Sequence, residues 1–398
     1  MRSLGRVLLV WLALGVAACA PAAPASPGPG AVNPAGPAPP AAAPAAPSAS
    51  QAAPKPDWQV EWERSVAAAR QEGKVSVYGP PGDLVRRAMG EAWRQAFPDI
   101  TLEWSGGRGS EQATKLEAER RAGIYAADVV IAGTTTANSQ VKPLGAGQPI
   151  RPALLLPEVT DTRNWLGNKL EFSDRDEQNL VFVTIPNALA LYNLQQVRPD
   201  EIDELHDLLD PKWRGRIVIN DPVPAGSGNV NFRWFWHVLG PEKGEEFIRA
   251  VRGQAAAVDR DQRRQVEWAA RGRYPIILSP SDGVAAQLLE QGLQFGIVRE
   301  FKEYGAIATA SLGSLMLLNP APHPNAARVF ANWLLTKEGQ TAYSVGMEQP
   351  SRRLDVPTDH LEKDLLLKPD GKYWPSYHED NVAMPPGLGE LLREVYGR

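Results

Sequence analysis

The stretch 74-KVSVYGPPGDLVRRAMGEAWRQAFPDITLEWSGG-107 decides the fold class. Val75 and Val77 alternate with polar neighbours in KVSVYG, the two-residue period of a strand. A Gly/Pro turn follows. From Asp83 onward Val85, Met89, Ala92, Trp93 and Phe97 recur three and four apart, which is one face of a helix, and Pro98 ends it. Ile100, Leu102 and Trp104 then alternate as a second strand. The chain turns again through Gly106, Gly107 and Gly109 into another helix, with Ser110 placed to cap it. The run 127-ADVVIAG-133 is apolar throughout, as a parallel strand covered on both faces would be. The order β-α-β-α-β predicts an open α/β sheet. Ligands of such sheets sit beyond the carboxyl ends of the strands, here the loops 78–80, 106–110 and 133–136. The glycine knot itself fits neither G-x-x-x-x-G-K-[ST] nor G-x-G-x-x-G, so it is not a nucleotide loop.

Outward from this stretch, residues 58–72 read as a lead-in helix closed by Gly73, and a second α/β unit follows downstream. In it, 216-RIVIN-220 reads as a strand, 221-DPVPAGSGN-229 as a loop, and a Trp/Phe-rich helix starts near Val230. A helix over 262–271, a buried strand 275-PIILS-279 and a helix capped by Ser281 complete it. The run 181-VFVTIPNALALYN-193 is expected to cross from the first lobe to the second, and the chain to return near 305–315. A helix at 325-NAARVFANWLL-335 then packs back on the first lobe. This predicts lobe 1 from 57–185 and 305–398, and lobe 2 from 186–304. Each lobe is a mixed sheet flanked by helices, with a cleft at a two-strand hinge. Residues beyond about 350 show few periodic patterns and are expected to wrap the surface.

The N-terminus differs in kind. Arg2 and Arg6 precede a short apolar run, and 16-VAAC-19 resembles a bacterial lipobox, whose cysteine carries the lipid. Cleavage near Ala18 or Ala20 as an ordinary secretory signal is the alternative. Residues 1–18 therefore read as a lipoprotein signal peptide, with Cys19 as the lipidation site. Residues 19–56 read as a disordered Ala/Pro-rich tether, too poor in large side chains to offset the entropy of ordering. The 398-residue chain is 43% hydrophobic and 22% charged, with a formal net charge of −4. Such a length holds two lobes of ordinary size. No basic stripe suggests nucleic acid. Cys19 is the single cysteine, which excludes an internal disulfide and any multi-cysteine metal site.

Three segments carry a family resemblance. The passages 207-DLLDPKWRGRIVINDP-222, 265-QVEWAARGRYPIILS-279 and 322-PHPNAARVFANWLLTKEGQ-340 are similar, in this order, to the substrate-binding proteins of ABC importers. These have the type II periplasmic-binding-protein fold, and the similar branch includes the ferric-iron binders. The resemblance covers roughly residues 72 to 345. It implies capture of a small-molecule solute by hinge closure and delivery to an ABC permease with its ATPase subunit. It also implies a location outside the cytoplasmic membrane, in the periplasm or on the outer face, held by the N-terminal lipid. A monomer without cofactor or chemistry on the ligand is expected. The iron-binding members place two adjacent tyrosines after the strand that matches 275–279, and here Pro280-Ser281-Asp282 stands there. Their glutamate after the strand matching 127–133 is replaced by Gly133-Thr134. The histidine common after the first strand is replaced by Gly and Pro alone. Fe³⁺ needs anionic oxygen ligands, so a ferric-iron site is the lesser alternative, with Asp282 as its one remaining carboxylate.

The candidate ligand contacts follow from these edges. Ser227, Gly228 and Asn229 open a helix whose N–H groups and hydroxyl suit a carboxylate or phosphate, or form only a turn and cap. Asn231 lies one step further on. Arg108 and Arg260 offer cations, each with solvation as its ordinary alternative. Thr134 and Thr135 offer hydroxyls beside Gly133. Ser281 and Asp282 occupy the place of the tyrosine pair. Tyr78 and Gly79 end the first strand, and Tyr304 lies near the return crossing. The twelve tryptophans sit mostly at helical spacing and read as core, with Trp234 and Trp236 less certain.

Two rivals come from other classes. A secreted hydrolase would need a nucleophile elbow or a zinc motif. Neither G-x-S-x-G nor His-Glu-x-x-His occurs, and the five histidines are scattered. A pair of distant glycosidase carboxylates remains compatible with the sequence. A ligand-binding sensor subunit would use the same cleft as a transporter.

Overall fold

The computed structural model describes residues 55–397, so the leader, Cys19 and the tether through residue 54 lie outside the described residues. Three sheets organise the rest. The first runs Thr101–Gly106, Lys74–Gly79, Val129–Ala132, Ser314–Leu318, Leu180–Val181, Glu171–Phe172, with Gly147–Gln148 beside Ser314–Leu318. The first three strands are parallel, and Ser314–Leu318 returns antiparallel to Val129–Ala132. The second sheet runs Ala255–Asp259, Ile217–Asn220, Ile276–Leu278, Ala190–Tyr192, Gly296–Val298. Its first three strands are likewise parallel, and Ala190–Tyr192 runs antiparallel to both of its neighbours, Ile276–Leu278 and Gly296–Val298.

The continuous apolar runs arise because both faces of each sheet are covered. In the first sheet Val75, Val77, Val129, Ile131, Leu315 and Leu317 enter one core, while Tyr78, Val130, Ala132 and Met316 enter another on the opposite face. In the second, Ile217, Ile219, Ile276 and Leu278 face one way, and Val218 and Ile277 the other. Each of the Val, Ile, Leu and Met side chains among them contributes roughly 1.5–3 kcal/mol by leaving water.

A small third sheet joins the lobes. Ile185–Pro186 pairs antiparallel with Ala306–Thr309, and Tyr373–Pro375 adds in parallel on the far side. The chain over 180–192 adds a strand to the first, third and second sheets in turn, and Ala306–Thr309 of the third sheet leads on to Ser314–Leu318 of the first.

Local corrections are small. The helix after the GSG turn spans Ser227–Leu239 and so starts three residues earlier than Val230. The Gly109–Arg121 helix has Arg108, not Ser110, at its N-cap position, and Arg108 N–H donates to Glu111 Oε2 at 3.1 Å. The tail needs a larger correction. Assigned by sequence to lobe 1 through residue 398, it ends in a helix, Leu388–Tyr396, packed on the second lobe. Leu388, Leu391, Leu392 and Tyr396 join Phe247, Ile248 and Val251 in that core.

Candidate functional site

Parallel strands bring their carboxyl ends to one edge. In the first sheet Gly79 is in register with Gly106, and Tyr78 with Val130. The loops beyond these strands are knit together by backbone. Gly107 N–H donates to Gly79 O at 3.0 Å, and Trp104 Nε1–H donates to Pro80 O at 3.2 Å. A side chain at Gly79 would have to displace Trp104, since a Cβ there would lie 2.3 Å from its ring. Gly133 is constrained in the same way, because its Cβ would lie 2.9 Å from Ser311 O. That contact brings the turn before Ser314–Leu318 to the same edge. Thr134 is buried, Thr135 is exposed, and Arg108 is exposed with no side-chain partner among the described residues.

The second-lobe edge is built around Asn220. Its Nδ2 donates to Ser227 Oγ at 3.0 Å and to Ser279 O at 2.9 Å, so one side chain ties three segments. Gly228 lies so close that a Cβ would be 2.6 Å from the carbonyls of both Asn220 and Asp221. Asn229 Nδ2 donates to Pro222 O at 3.0 Å and fixes the loop from inside. Asp221 accepts from Arg260 Nε at 2.7 Å, which leaves both terminal nitrogens of Arg260 without partners among the described residues. Ser281 occupies the N-cap position of the Asp282–Glu290 helix, but its hydroxyl makes no capping bond. Ser279 just before it is fully buried at a φ of 61°, and its Oγ has no partner among the described residues.

The edges thus carry Gly79, Arg108, Thr134 and Thr135 from the first lobe, and Ser227, Gly228, Asn229, Arg260 and Ser281 from the second. Among the described residues no hydrogen bond or ion pair joins one set of loops to the other. Four other candidates are engaged elsewhere. Tyr78 is buried under the Gly109–Arg121 helix, and its hydroxyl donates to Glu119 at 2.8 Å. Burial, then the Glu119 carboxylate, pushes its pKa well above the ordinary phenol value. Asn231 is fully buried at the hinge, donating to Ala188 O at 3.0 Å and accepting from Asn187 Nδ2 at 2.7 Å. Tyr304 packs against the second-lobe core, 6.4 Å from the His206 ring.

Asp282 is a hinge clamp. One oxygen accepts Ala188 N–H at 2.8 Å, and the other meets Arg299 Nη1 at 2.5 Å. Arg299 also donates to Pro186 O and to Asp364, both at 2.9 Å. Burial works against the Arg299 charge, but Asp282 and Asp364 outweigh it and hold its pKa above the usual guanidinium value. The carboxylate singled out as a possible iron ligand therefore already has a cation.

The sequence profile of the family described as bacterial extracellular solute-binding protein matches residues 74–344. The chain belongs to this family. A Haemophilus influenzae protein is 23% identical over 274 residues, covering 69% of this chain and 76% of its own. Solved structures share the fold. The Mannheimia haemolytica ferric iron-binding protein A, in an open conformation, superposes with a TM-score of 0.63 at 14% identity, covering 81% of this chain and 98% of that one. The Trichodesmium protein in complex with iron and citrate gives 0.59 at 18%, covering 81% and 97%. The Actinobacillus pleuropneumoniae protein AfuA, bound to fructose-6-phosphate, gives 0.53 at 19%, covering 81% and 98%.

In this solute-binding protein, sequence reasoning missed Asn220 and Ser279, which organise the second edge. A signal for Asn220 was present, as a lone polar residue closing the apolar strand 217-IVIN-220. A groove of about 790 Å³ lies among Trp62, Phe97, Leu156 and Trp333, and none of the strand-end residues named above lines it.

Proposed function

We propose that this chain is the solute-capturing component of an ABC importer, held outside the cytoplasmic membrane by a lipid on Cys19, and that its solute is small, polar and anionic. The carrying observation is the charge state of the two edges. Asp221, Asp259 and Asp282 are each matched by an arginine, through Arg260, Arg264 and Arg299. Arg108 has no side-chain partner among the described residues, and Arg260 keeps its terminal nitrogens free of one. Hydroxyls at Thr134, Ser227 and Ser281 and the N–H groups opening the Ser227–Leu239 helix add donors. A site so composed complements a carboxylate or phosphate and lacks the anionic oxygens that Fe³⁺ requires. The same fold holds iron with citrate in one relative and a sugar phosphate in another, so the frame does not set the ligand. Of the two, the sugar phosphate is closer in chemistry to the donors present here.

The test is a thermal-shift panel of inorganic phosphate, sugar phosphates, small carboxylates and ferric citrate on the full chain. Stabilisation by an anion that grows with its concentration is expected. Stoichiometric Fe³⁺ with a visible charge-transfer band, and no response to any metal-free anion, would overturn the reading. For the best anion in the panel, Arg108→Ala and Ser227→Ala should each weaken binding about tenfold, or ~1.4 kcal/mol. The ligand-free melting temperature of the Arg108 variant should not move, because that side chain is exposed and unpaired. Unchanged affinity in both variants would move the site elsewhere.

A further inference from the structure

The C-terminal segment laces the two lobes together. From the hinge strand Tyr373–Pro375 the chain passes Tyr377, buried against Val181, Ala308 and Ala310. It then reaches the first lobe. Glu379 N–H donates to Ser173 O at 2.8 Å, and the Glu379 carboxylate accepts Arg175 N–H at 2.9 Å and Lys142 Nζ at 3.3 Å. Asp380 pairs with the Arg175 guanidinium. The next two residues belong to the second lobe, where Arg233 Nη1 donates to the carbonyls of Asn381 and Val382. The closing helix, Leu388–Tyr396, then buries its apolar face in the second-lobe core.

We propose that residues 373–396 form a strap that restrains the hinge, and that large movements of one lobe against the other require its first-lobe end to release. The proposal rests on the two-lobed architecture and is independent of which solute is bound. The chain between the two anchors has no slack. Asp380 is anchored to one lobe and Asn381 to the other, and consecutive Cα atoms are about 3.8 Å apart. A rotation that separates Arg175 from Arg233 by more than a few ångströms therefore breaks one anchor.

The two anchors are unequal. Asp380 pairs with Arg175, which is 73% exposed, and exposed ion pairs are weak and screened by salt; Glu379 meets the less exposed Lys142, which keeps Asp174 and Asp176 when Glu379 leaves. Arg233 is 6% exposed, meets no carboxylate among the described residues, and has the strap carbonyls as its side-chain partners there. Losing them would leave a buried cation unsatisfied. The second-lobe anchor also has the apolar helix behind it. The acidic end at Glu379 and Asp380 is thus the end that lets go.

The experiment is electron-electron distance measurement on the ligand-free full chain, with Cys19→Ser and spin labels at Ala118→Cys and Ala286→Cys. Both alanines are exposed, one on a helix of each lobe. Adding Glu379→Gln with Asp380→Asn should widen the inter-lobe distance distribution at least twofold. The parent protein in 1 M NaCl should widen in the same sense, which covers the case in which the double variant folds poorly. Unchanged distributions in both, with hydrogen exchange showing that the Glu379 and Arg175 amides have lost protection, would overturn the proposal. In that outcome the anchor is broken and the lobes do not respond.

Discussion

Asp282→Ala is expected to lower the unfolding free energy by about 3 kcal/mol, the range for breaking a partly buried ion pair from one side. The substitution removes the acceptor of Ala188 N–H and one of two carboxylates facing Arg299. Arg299 is 13% exposed at its side chain and keeps Asp364 and Pro186 O, which places the expected loss at the lower end of that range. Asp282→Asn should cost less, since it retains an acceptor while losing the charge. Equilibrium urea unfolding measures both. A change below 1 kcal/mol for the alanine variant would mean that the clamp contributes little. Loss of Fe³⁺ binding at unchanged stability would instead make Asp282 a ligand.

Gly228→Val should destabilise by roughly 2–3 kcal/mol and also abolish solute binding. The first added carbon would lie 2.6 Å from two backbone carbonyls, Asn220 O and Asp221 O, and neither can swing aside as a side chain could. The helix start must move, taking Ser227 and Asn229 with it. Gly283→Ala is the control, since a Cβ there meets nothing within 4 Å and no unusual φ is involved. It should fall within about 0.5 kcal/mol of the parent. Thermal denaturation with and without the best anion separates the two effects. A Gly228→Val protein that binds normally would show that this loop is not part of the site.

The fold was legible because its signals are local. Runs such as VVIA and IVIN need cover on both faces, and Gly73, Pro98 and Gly272 punctuate the elements between them. The edges were legible for the same reason, since parallel strands place their ends together. The duties of single side chains were not. Asp282 answers to Ala188, 94 positions away, Asn231 to Asn187, 44 away, and Tyr78 to Glu119, 41 away. Nothing within a helix or strand period reports such partners. Tyr78 was partly readable, since Val75 and Val77 claim one face of their strand and leave it to the other. The final helix was readable too. Leu388, Leu391, Leu392 and Val395 recur at helical spacing, a signal passed over in expecting the tail only to wrap the surface.

The first-lobe edge sets a limit on how the proposed site can change over time. Where Gly79 and Gly133 meet Trp104 and Ser311, almost any replacement collides with a neighbour before it can reach a solute. Those two positions are closed to one-step variation. The second edge is more permissive at Ser281 and Gly283, where a hydroxyl without a capping bond and an open space stand side by side. New ligand preferences are therefore expected to arise at Ser281 and Gly283 sooner than at Gly79 or Gly133. A library aimed at Ser281 and Gly283 should yield altered specificity far more often than one aimed at Gly79 or Gly133.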